Sequence, residues 1–285
     1  MLPKAVAIPI YIWRDPSNVH ERWSRCVWSL AWQIWKRSVG LPLIVTLDNG
    51  MDYVLDPASG HSAGAVYTRI YESSLIEFAR AHVEPGGTLV DVGAHSGLYT
   101  LLLAHLFQSG FLFEPAPDTY QLLRRNLRLN DLSAFTLSCE AVGNEEGPRQ
   151  FVITGANSGT NHLSVDADTG ARGTITVPVV ALDRRLAGIE DINYLKIDCE
   201  GGELAVLQGA TRVLAKNPQL LIHFESRTND VGRIITLLED REFIVFAVGA
   251  RQQPDLDPKA IFMAPDLFAC GPCHPLQPSL MTRNR

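Results

Sequence analysis

The spacing of hydrophobic residues along the chain changes near residue 72, and the two patterns predict different structures. In residues 17–39 apolar side chains recur at helical spacing, which predicts one amphipathic helix that ends at Gly40. Its main stripe consists of Trp23, Val27, Leu30 and Ile34, with Trp28, Trp32, Trp35 and Val39 beside it. The following stretch, LPLIVTLDNGMDYVLDP, predicts a short β-hairpin with its turn at Asn49 and Gly50.

From residue 72 onward, apolar strands alternate with helical segments. The predicted strands are TLVDVG, GFLFEP, FTLSCEAV, YLKIDCE, QLLIHFE, FIVFAVG and AIFMAP, and helical patterns separate most of them. Apolar strands that alternate with helices are typical of a parallel sheet that is covered on both faces. We therefore predict an α/β fold with a doubly wound, mostly parallel, Rossmann-like sheet.

The same patterns divide the chain into three parts. Residues 1–70 form the predicted N-terminal appendage of helix and β-hairpin, and residues 71–265 form the predicted α/β domain. Within that domain, residues from about 144 to 183 are rich in Gly, Asn, Thr and Asp, so we expect a β-hairpin insertion near the active edge of the sheet. Residues 266–285 are rich in Pro and polar residues, so we expect a poorly ordered tail in which Cys270 and Cys273 are plain thiols.

Composition limits the classes of function. With 46% hydrophobic and 20% charged residues, the chain of 285 residues can bury a large core. Its formal net charge of −6 gives no reason to expect a nucleic-acid partner. A signal peptide, a long apolar run and a disulfide framework are not evident, so we expect a cytoplasmic protein with reduced cysteines. The first 40 residues differ, because they contain six Lys or Arg and only two acidic residues.

The most informative stretch is LVDVGAHSGLYTLLLA, in which a glycine turn links a predicted strand to a predicted helix. Ligands of doubly wound sheets bind beyond the carboxyl ends of the strands, where this turn lies. A dinucleotide fingerprint needs G-x-G-x-x-G, but His95 takes the place of the middle glycine and obstructs a pyrophosphate. Asp91 would repel phosphate and suits an ammonium group. These features favour S-adenosylmethionine, whose amino-acid end can meet both Asp91 and the backbone N–H groups of the turn.

A carboxylate for the ribose of that cofactor is predicted at the end of the next strand. Glu114 lies 21 residues beyond Gly93, where an acidic residue can accept hydrogen bonds from both ribose hydroxyls. Ala141 and Val142, at the end of the third strand, are expected to border the adenine. The alternative is that Asp91 only caps a helix and that Glu114 is a plain surface acid.

The stretch YLKIDCEGGE predicts the reaction site at the end of the fourth parallel strand. Lys196 and Asp198 share one face there, and Lys196 needs a partner, either Asp198 or Glu225. Asp198 lies where a group faces the transferred methyl, and Glu200 follows it. Either carboxylate is a candidate general base, with His223 of the next strand behind them. A structural ion pair is the alternative interpretation, and Asp198, Glu200 and Glu225 are also a candidate Mg²⁺ site.

Together these motifs resemble the FkbM family of S-adenosylmethionine-dependent methyltransferases. The resemblance runs from about Tyr71 to Phe246 and rests above all on DVGAHSG combined with KIDCEGGE. It implies a class I methyltransferase fold and methyl transfer to a hydroxyl of a sugar, glycolipid or secondary metabolite. The cofactor-binding residues that it implies are Asp91, Gly93, Gly97, Glu114, Ala141 and Val142, with Glu72 close to the cofactor, and we add their neighbours Ala94, His95 and Pro115 to this predicted set. It also implies that Asp198 and Glu200 line the reaction site. We add His223 as a candidate catalytic residue, although the family commonly has an acid nearer the centre of that strand. The family usually has Asn at the position of His95.

Two further segments have more than one interpretation. The stretch GANSGTNHLSV within the insertion is expected either to cover the acceptor or to be a plain solvated hairpin. Its predicted polar contacts to the acceptor are Asn161 and His162, together with Glu225 of the fifth strand, and His162 is a further candidate to assist the general base. The Trp-rich helix of residues 17–39 is expected to pack against the sheet, to contact a membrane peripherally or to form a homodimer contact.

Two other functions remain open for the whole chain. The main alternative to an enzyme is a catalytically silent fold that keeps the cofactor pocket and acts as an adaptor at a membrane or a partner protein. An NAD-dependent oxidoreductase is disfavoured by His95 inside the glycine turn.

Overall fold

An eight-stranded sheet organises the protein, which is seen in a computed structural model. The structure describes residues 4–59, 62–154, 161–163, 173–227, 229–249 and 252–283. The N-terminal elements are α1 (Lys4–Arg14), α2 (Arg22–Ser38), β1 (Leu43–Thr46), β2 (Asp52–Leu55) and α3 (Ser62–Tyr67). The predicted β-hairpin is thus present, and so is the predicted helix, although it begins at Arg22 and not at residue 17. Helix α1 was not predicted.

The α/β part begins after α3. Its first half contains α4 (Ser73–His82), β3 (Thr88–Val92), α5 (Leu98–Leu103), β4 (Ser109–Phe113), α6 (Pro117–Leu129), β5 (Phe135–Ser138), β6 (Ala141–Val142), β7 (Gly147–Ile153), β8 (His162–Leu163) and β9 (Gly173–Val180). Its second half contains α7 (Leu182–Arg185), β10 (Ile192–Ile197), α8 (Glu203–Gln208), α9 (Thr211–Lys216), β11 (Leu221–Glu225), α10 (Val231–Glu239), β12 (Ile244–Val248), β13 (Pro254–Asp255), α11 (Pro258–Met263), β14 (Asp266–Cys270) and α12 (Gln277–Arg283).

The main sheet has the strand order β13-β12-β14-β11-β10-β3-β4-β5. The strands β5, β4, β3, β10 and β11 are parallel to their neighbours, and β14 is antiparallel to both β11 and β12. The chain moves outward from β3 to β5 and then returns to the other side of β3 as β10. The crevice between β3 and β10 is therefore the topological switch point of the sheet. The predicted α/β fold is confirmed.

Hydrophobic side chains cover both faces of this sheet, because successive residues of a strand point to opposite sides. In β10, Tyr194 joins a core that includes residues of α4 and α5. Leu195 and Ile197 join the opposite core, which includes residues of α8 and α10. This arrangement holds the carboxyl end of β10 in a fixed place at the switch point.

The predicted insertion forms a separate four-stranded sheet with the order β6-β9-β7-β8. β7 and β9 are antiparallel, as expected for a hairpin. Residues Ala141 and Val142 were predicted to end the third strand of the main sheet, but they pair in parallel with β9 instead. Much of the segment GANSGTNHLSV lies outside the described residues, so its predicted role as a cover stays a prediction.

The C-terminal interpretation was wrong in two places. The stretch AIFMAP was predicted as a strand, but Pro258–Met263 is a helix that starts after the capping residue Asp257. The residues expected to form a poorly ordered tail begin with β14, which inserts between β11 and β12 and gives both strands a hydrogen-bonding partner. The run DLFAC is too short to predict a strand by itself. It is buried because it pairs with β11 and β12, which precede it in the chain.

The apolar stripe of α2 does not pack against the sheet. Trp32, on the opposite side of the helix, is buried in the core. The stripe residues Trp23, Val27, Leu30 and Ile34 are exposed. None of the helices in the described ranges combines the length and the apolar character that crossing a membrane requires.

Two substitutions in α12 test the order of the C-terminus. Leu280 is fully buried, and Leu280→Ala should lower the free energy of unfolding by about 2–5 kcal/mol. Its neighbour Met281 is exposed, and Met281→Ala should change that energy by less than about 0.5 kcal/mol. Urea unfolding measures both values. Equal, small effects would mean that α12 is not docked in solution.

Candidate active site

A cleft of about 650 Å³, counted with the space that is open to solvent, lies at the switch point of the main sheet. The carboxyl ends of β3, β4 and β10 form one side, and the strands of the insertion form the other. The residues predicted from the sequence that line this cleft are Gly93, His95, Glu114, Pro115, Ala141, Val142, Asn161, Asp198 and Glu200. Sequence reasoning missed Phe113 and Cys199 on the first side and Phe151 and Leu163 on the second. Their apolar character at strand positions suggested only burial.

The turn after β3 needs glycine because β10 passes very close to it. Gly93 has a φ of 77°, and a Cβ atom there would lie 1.8 Å from the carbonyl oxygen of Asp198. No side chain fits that contact, so any other residue would force β3 and β10 apart. The glycine motif therefore serves the approach of the two strands as well as the shape of the cleft.

The backbone amides of this turn are already engaged. The N–H groups of Gly93 and Ala94 donate to the carbonyl oxygen of Phe113, and the N–H of His95 donates to Glu114 over 3.0 Å. The predicted hydrogen bonds from these amides to a ligand carboxylate therefore stay a prediction. What the amides do in the structure is to join the end of β3 to the end of β4.

Glu114 is a buried carboxylate on the cleft wall. Its two oxygens accept hydrogen bonds from the backbone N–H of Ala116, at 2.9 Å, and of His95, at 3.0 Å. Burial raises the pKa of Glu114 to about 7, although the two amides act in the opposite direction. The structure thus fixes this side chain on the cleft wall, and its predicted contact with a ribose stays a prediction.

Lys196 is the buried cation beneath the cleft. Its Nζ lies 3.0 Å from Oδ2 of Asp198, 3.5 Å from Oδ1 of Asp91 and 3.4 Å from the carbonyl oxygen of Gly93. Burial would lower the pKa of Lys196, but the carboxylates of Asp198, Asp91 and Glu72 outweigh burial and raise it. Of the two partners considered from the sequence, the structure pairs Lys196 with Asp198.

Asp91 does not reach the cleft wall. It is completely buried, its Oδ2 accepts a hydrogen bond of 2.6 Å from Thr100, and its Oδ1 faces Lys196. Its predicted contact with the ammonium group of a cofactor therefore stays a prediction. In the structure its charge compensates that of Lys196.

A group of carboxylates lies at the mouth of the cleft. Carboxylate oxygens of Asp198, Glu200 and Glu225 are all within 4.8 Å of one another. Burial, together with the negative charges of Asp198 and Glu200, raises the pKa of Glu225 to about 7. Burial and the charge of Asp198 also raise the pKa of Glu200. Such a group can accept a proton near neutral pH, and three oxygen ligands also suit a hard divalent cation.

His223 lies behind this group rather than on the cleft wall. It is buried, with Nδ1 3.0 Å from the hydroxyl of Tyr99 and Nε2 3.5 Å from Oδ1 of Asp266. Its ring stacks on Phe268. The predicted catalytic role of His223 stays a prediction, and Asp266 was missed because β14 was interpreted as part of a tail.

The other predicted residues surround the cleft without lining it. These are Glu72, Ala94, Gly97, His162 and Glu225. Glu72 is partly buried at the start of α4, where Lys196 and His223 interact with its charge. Ala94 and Gly97 shape the turn, and His162 is close enough to Glu200 to oppose the rise in the pKa of that carboxyl that burial and Asp198 cause.

Residues 91–245 match the family model described as the methyltransferase FkbM domain, which is more than half of the chain. The chain belongs to the FkbM methyltransferase family. The resemblance stated from the sequence motifs is confirmed, and the protein is an enzyme that transfers methyl groups.

Relatives of this FkbM methyltransferase include two curated proteins. It is 28% identical over 227 residues to methyltransferase sdnD of Sordaria araneosa. That match covers 67% of this chain and 85% of the relative. It is also 25% identical over 198 residues to hexuronic acid methyltransferase AglP of Haloferax volcanii. This second match covers 64% of this chain and 77% of the relative. Among solved structures, methyltransferase FkbM from Methylobacillus flagellatus KT matches 75% of this chain and 55% of its own, with 16% identity and a TM-score of 0.45.

The buried cation can be tested by removing it. Lys196→Met should lower the free energy of unfolding by about 3–5 kcal/mol, because Asp91 then remains buried without a cation to balance its charge. The double variant Lys196→Met/Asp91→Leu should recover part of that loss. As a control, Arg212→Met breaks an exposed pair with Asp183 and should cost less than about 1 kcal/mol. A Lys196→Met variant as stable as the parent would show that the pair is not needed.

Proposed function

We propose that this methyltransferase uses S-adenosylmethionine to methylate a hydroxyl of a sugar, glycolipid or secondary metabolite. The observation that supports it most is the convergence on one cleft of the Gly93 turn, the buried carboxylate of Glu114 and the carboxylate of Asp198. These three come from the ends of β3, β4 and β10. When bound, the cofactor supplies an electrophilic methyl group on a positively charged sulfur.

The cleft fits this cofactor in its chemistry. Glu114 offers carboxylate oxygens to the ribose hydroxyls, and Pro115, Ala141 and Val142 offer an apolar wall to the adenine. His95 fills the position that a pyrophosphate would need, which argues against a dinucleotide. Asp198 provides negative charge near the expected place of the sulfonium.

A polar acceptor is supported by the residues on the insertion side. Asn161 lines the cleft, and its Oδ1 accepts a hydrogen bond of 2.9 Å from the backbone N–H of Thr154, which fixes its orientation. We assign Asn161, together with His162 and Glu225, to bind the acceptor. The name of the relative from Haloferax volcanii specifies a hexuronic acid, and this supports a sugar hydroxyl as the methylated group.

The reaction requires one aligned oxygen and one proton acceptor. Asp198 is held by Lys196 at 3.0 Å and is therefore suited to orient the acceptor hydroxyl. Glu225 has a pKa of about 7 and can take up the hydroxyl proton near neutral pH. Sequence reasoning placed this base on Asp198 or Glu200, and the electrostatics of the carboxylate group favour Glu225.

Cofactor use is tested first by calorimetric titration with S-adenosylhomocysteine, with NADH as the control ligand. Because burial raises the pKa of Glu114 to about 7, its carboxyl is protonated below that pH and ionised above it. Accepting both ribose hydroxyls favours the ionised form, so the Kd should fall as the pH rises from about 6 to about 8. Glu114→Gln should weaken binding at the higher pH about tenfold or more and remove this pH dependence.

The control for that experiment is Glu239→Gln, an exposed carboxyl on α10 that should leave binding unchanged. Binding of NADH instead would replace the proposed cofactor. Failure to bind either ligand would favour the catalytically silent adaptor. An equal pH dependence in Glu114→Gln would assign the titration to another group.

The assignments of Asp198 and Glu225 are separated by kinetics at saturating cofactor with a sugar acceptor. Asp198→Asn should lower kcat about a hundredfold or more at every pH while leaving S-adenosylhomocysteine binding intact. In the parent, kcat should rise with pH through about 7 as Glu225 loses its proton. Glu225→Gln should abolish that rise, and a rise that persists would place the base elsewhere.

The same group of carboxylates is the candidate Mg²⁺ site. Asp198, Glu200 and Glu225 would hold the ion, which would acidify the acceptor hydroxyl. With Glu225 as proton acceptor, activity should survive treatment with EDTA. Loss of activity that Mg²⁺ restores would assign these carboxylates as metal ligands instead.

A further inference from the structure

The stripe of α2 that faces solvent is apolar over the whole length of the helix. Trp23, Val27, Leu30 and Ile34 are 75%, 67%, 63% and 58% exposed. Their spacing of four, three and four residues places them on one side of the helix. Trp13 of α1 extends this surface, because its ring meets that of Trp23 edge-on at 5.1 Å. We call these five side chains the apolar face.

The apolar face is not needed to hold α2 in place. The opposite side of the helix buries Trp32 in the main core, and the side chain of Gln33 donates a hydrogen bond of 2.5 Å to the hydroxyl of Tyr67. Near the end of the helix, the indole N–H of Trp35 donates to the carbonyl oxygen of Leu41. The helix is thus fixed through one side, and an exposed apolar surface on the other side indicates a partner.

Charge around the apolar face is positive. Helix α2 contains Arg22, Arg25, Lys36 and Arg37 and no acidic residue, and Glu21, directly before the helix, pairs with Arg25 alone among these four. The first 40 residues contain six Lys or Arg and two acids, whereas the whole chain has a net charge of −6. Arg37 lies at the edge of the stripe, because it follows Leu30 by seven residues and Ile34 by three. The partner should therefore be apolar and flanked by negative charge.

We propose that the apolar face docks on the surface of an anionic lipid bilayer. Exposed Trp beside Leu, Ile and Val, with Lys and Arg on the flanks, is the composition that inserts at the boundary between headgroups and acyl chains. A second copy of this chain fits less well. In a twofold contact the cationic flanks of the two α2 helices would face each other and repel. This proposal rests on the N-terminal appendage alone and does not depend on the proposed methyl transfer.

Tryptophan fluorescence tests the docking directly, because all five Trp residues of the chain lie between residues 13 and 35. The full-length protein is mixed with vesicles of phosphatidylcholine alone or of phosphatidylcholine with phosphatidylglycerol. We expect a blue shift of the emission with the anionic vesicles and at least tenfold weaker binding to the neutral ones. Brominated lipids should quench the emission, and high salt should weaken binding.

Variants locate the contact by vesicle co-sedimentation. Trp23→Gln/Leu30→Gln/Ile34→Gln should reduce binding at least tenfold, and Lys36→Glu/Arg37→Glu should remove the preference for anionic vesicles. The matched controls are Phe262→Gln/Met263→Gln, at exposed apolar positions of α11, and Lys216→Glu/Lys259→Glu, at exposed lysines outside the appendage. Both controls should bind like the parent. Circular dichroism and the thermal midpoint confirm that each variant is folded.

Two results would overturn the proposal. One is that the parent protein does not sediment with anionic vesicles, shows no blue shift of its emission with them and is not quenched by brominated lipids. The other is a dimer in analytical ultracentrifugation that the triple variant converts to a monomer while vesicle binding is absent, which would assign the apolar face to a second copy of the chain.

Discussion

The buried ammonium group of Lys196 links the carboxyl ends of β3 and β10, and the rest of the cleft is built on these two strands. It lies between β3 and β10, 3.0 Å from the carboxylate of Asp198 and 3.5 Å from that of Asp91, and 5.3 Å above the ring of Tyr99. Leaving a charge in the core without a partner is costly, so Lys196 and the fully buried Asp91 depend on each other. The same ammonium group orients the partly exposed carboxylate of Asp198 at the end of β10.

A steric constraint acts at the same place. The carbonyl of Asp198 approaches Gly93 so closely that no side chain is tolerated there. The glycine turn and the carboxylate of the reaction site are thus two parts of one contact between neighbouring strands. Glu114 joins the end of β4 to this contact, because its carboxylate accepts a hydrogen bond from the backbone N–H of His95 in the turn. The cleft is therefore preorganised by the sheet rather than by its loops.

The electrostatics differ on the two sides of Asp198. Toward β4, a single buried carboxylate, Glu114, stands on the cleft wall and suits a neutral diol. Toward β11, Glu200 and Glu225 lie close together, and the negative charges of Asp198 and Glu200 add to burial in raising the pKa of Glu225 to about 7. Asp266 of β14 lies beside His223 behind this group. A cofactor side and a proton-accepting side thus follow from one sheet.

The sequence by itself determined the alternation of strands and helices, the glycine turn at Gly93 and the carboxylates Glu114 and Asp198, because each depends on residues that are close together in the chain. Only the tertiary structure decided that Asp91 pairs with Lys196 beneath the cleft, that Ala141 and Val142 join the insertion, and that Asp266–Cys270 is a strand inside the sheet. It also decided which side of α2 is buried, because the apolar stripe of an amphipathic helix does not show whether the stripe faces the core or the solvent. Burial and strand pairing are made between segments far apart in sequence, so local patterns do not determine them.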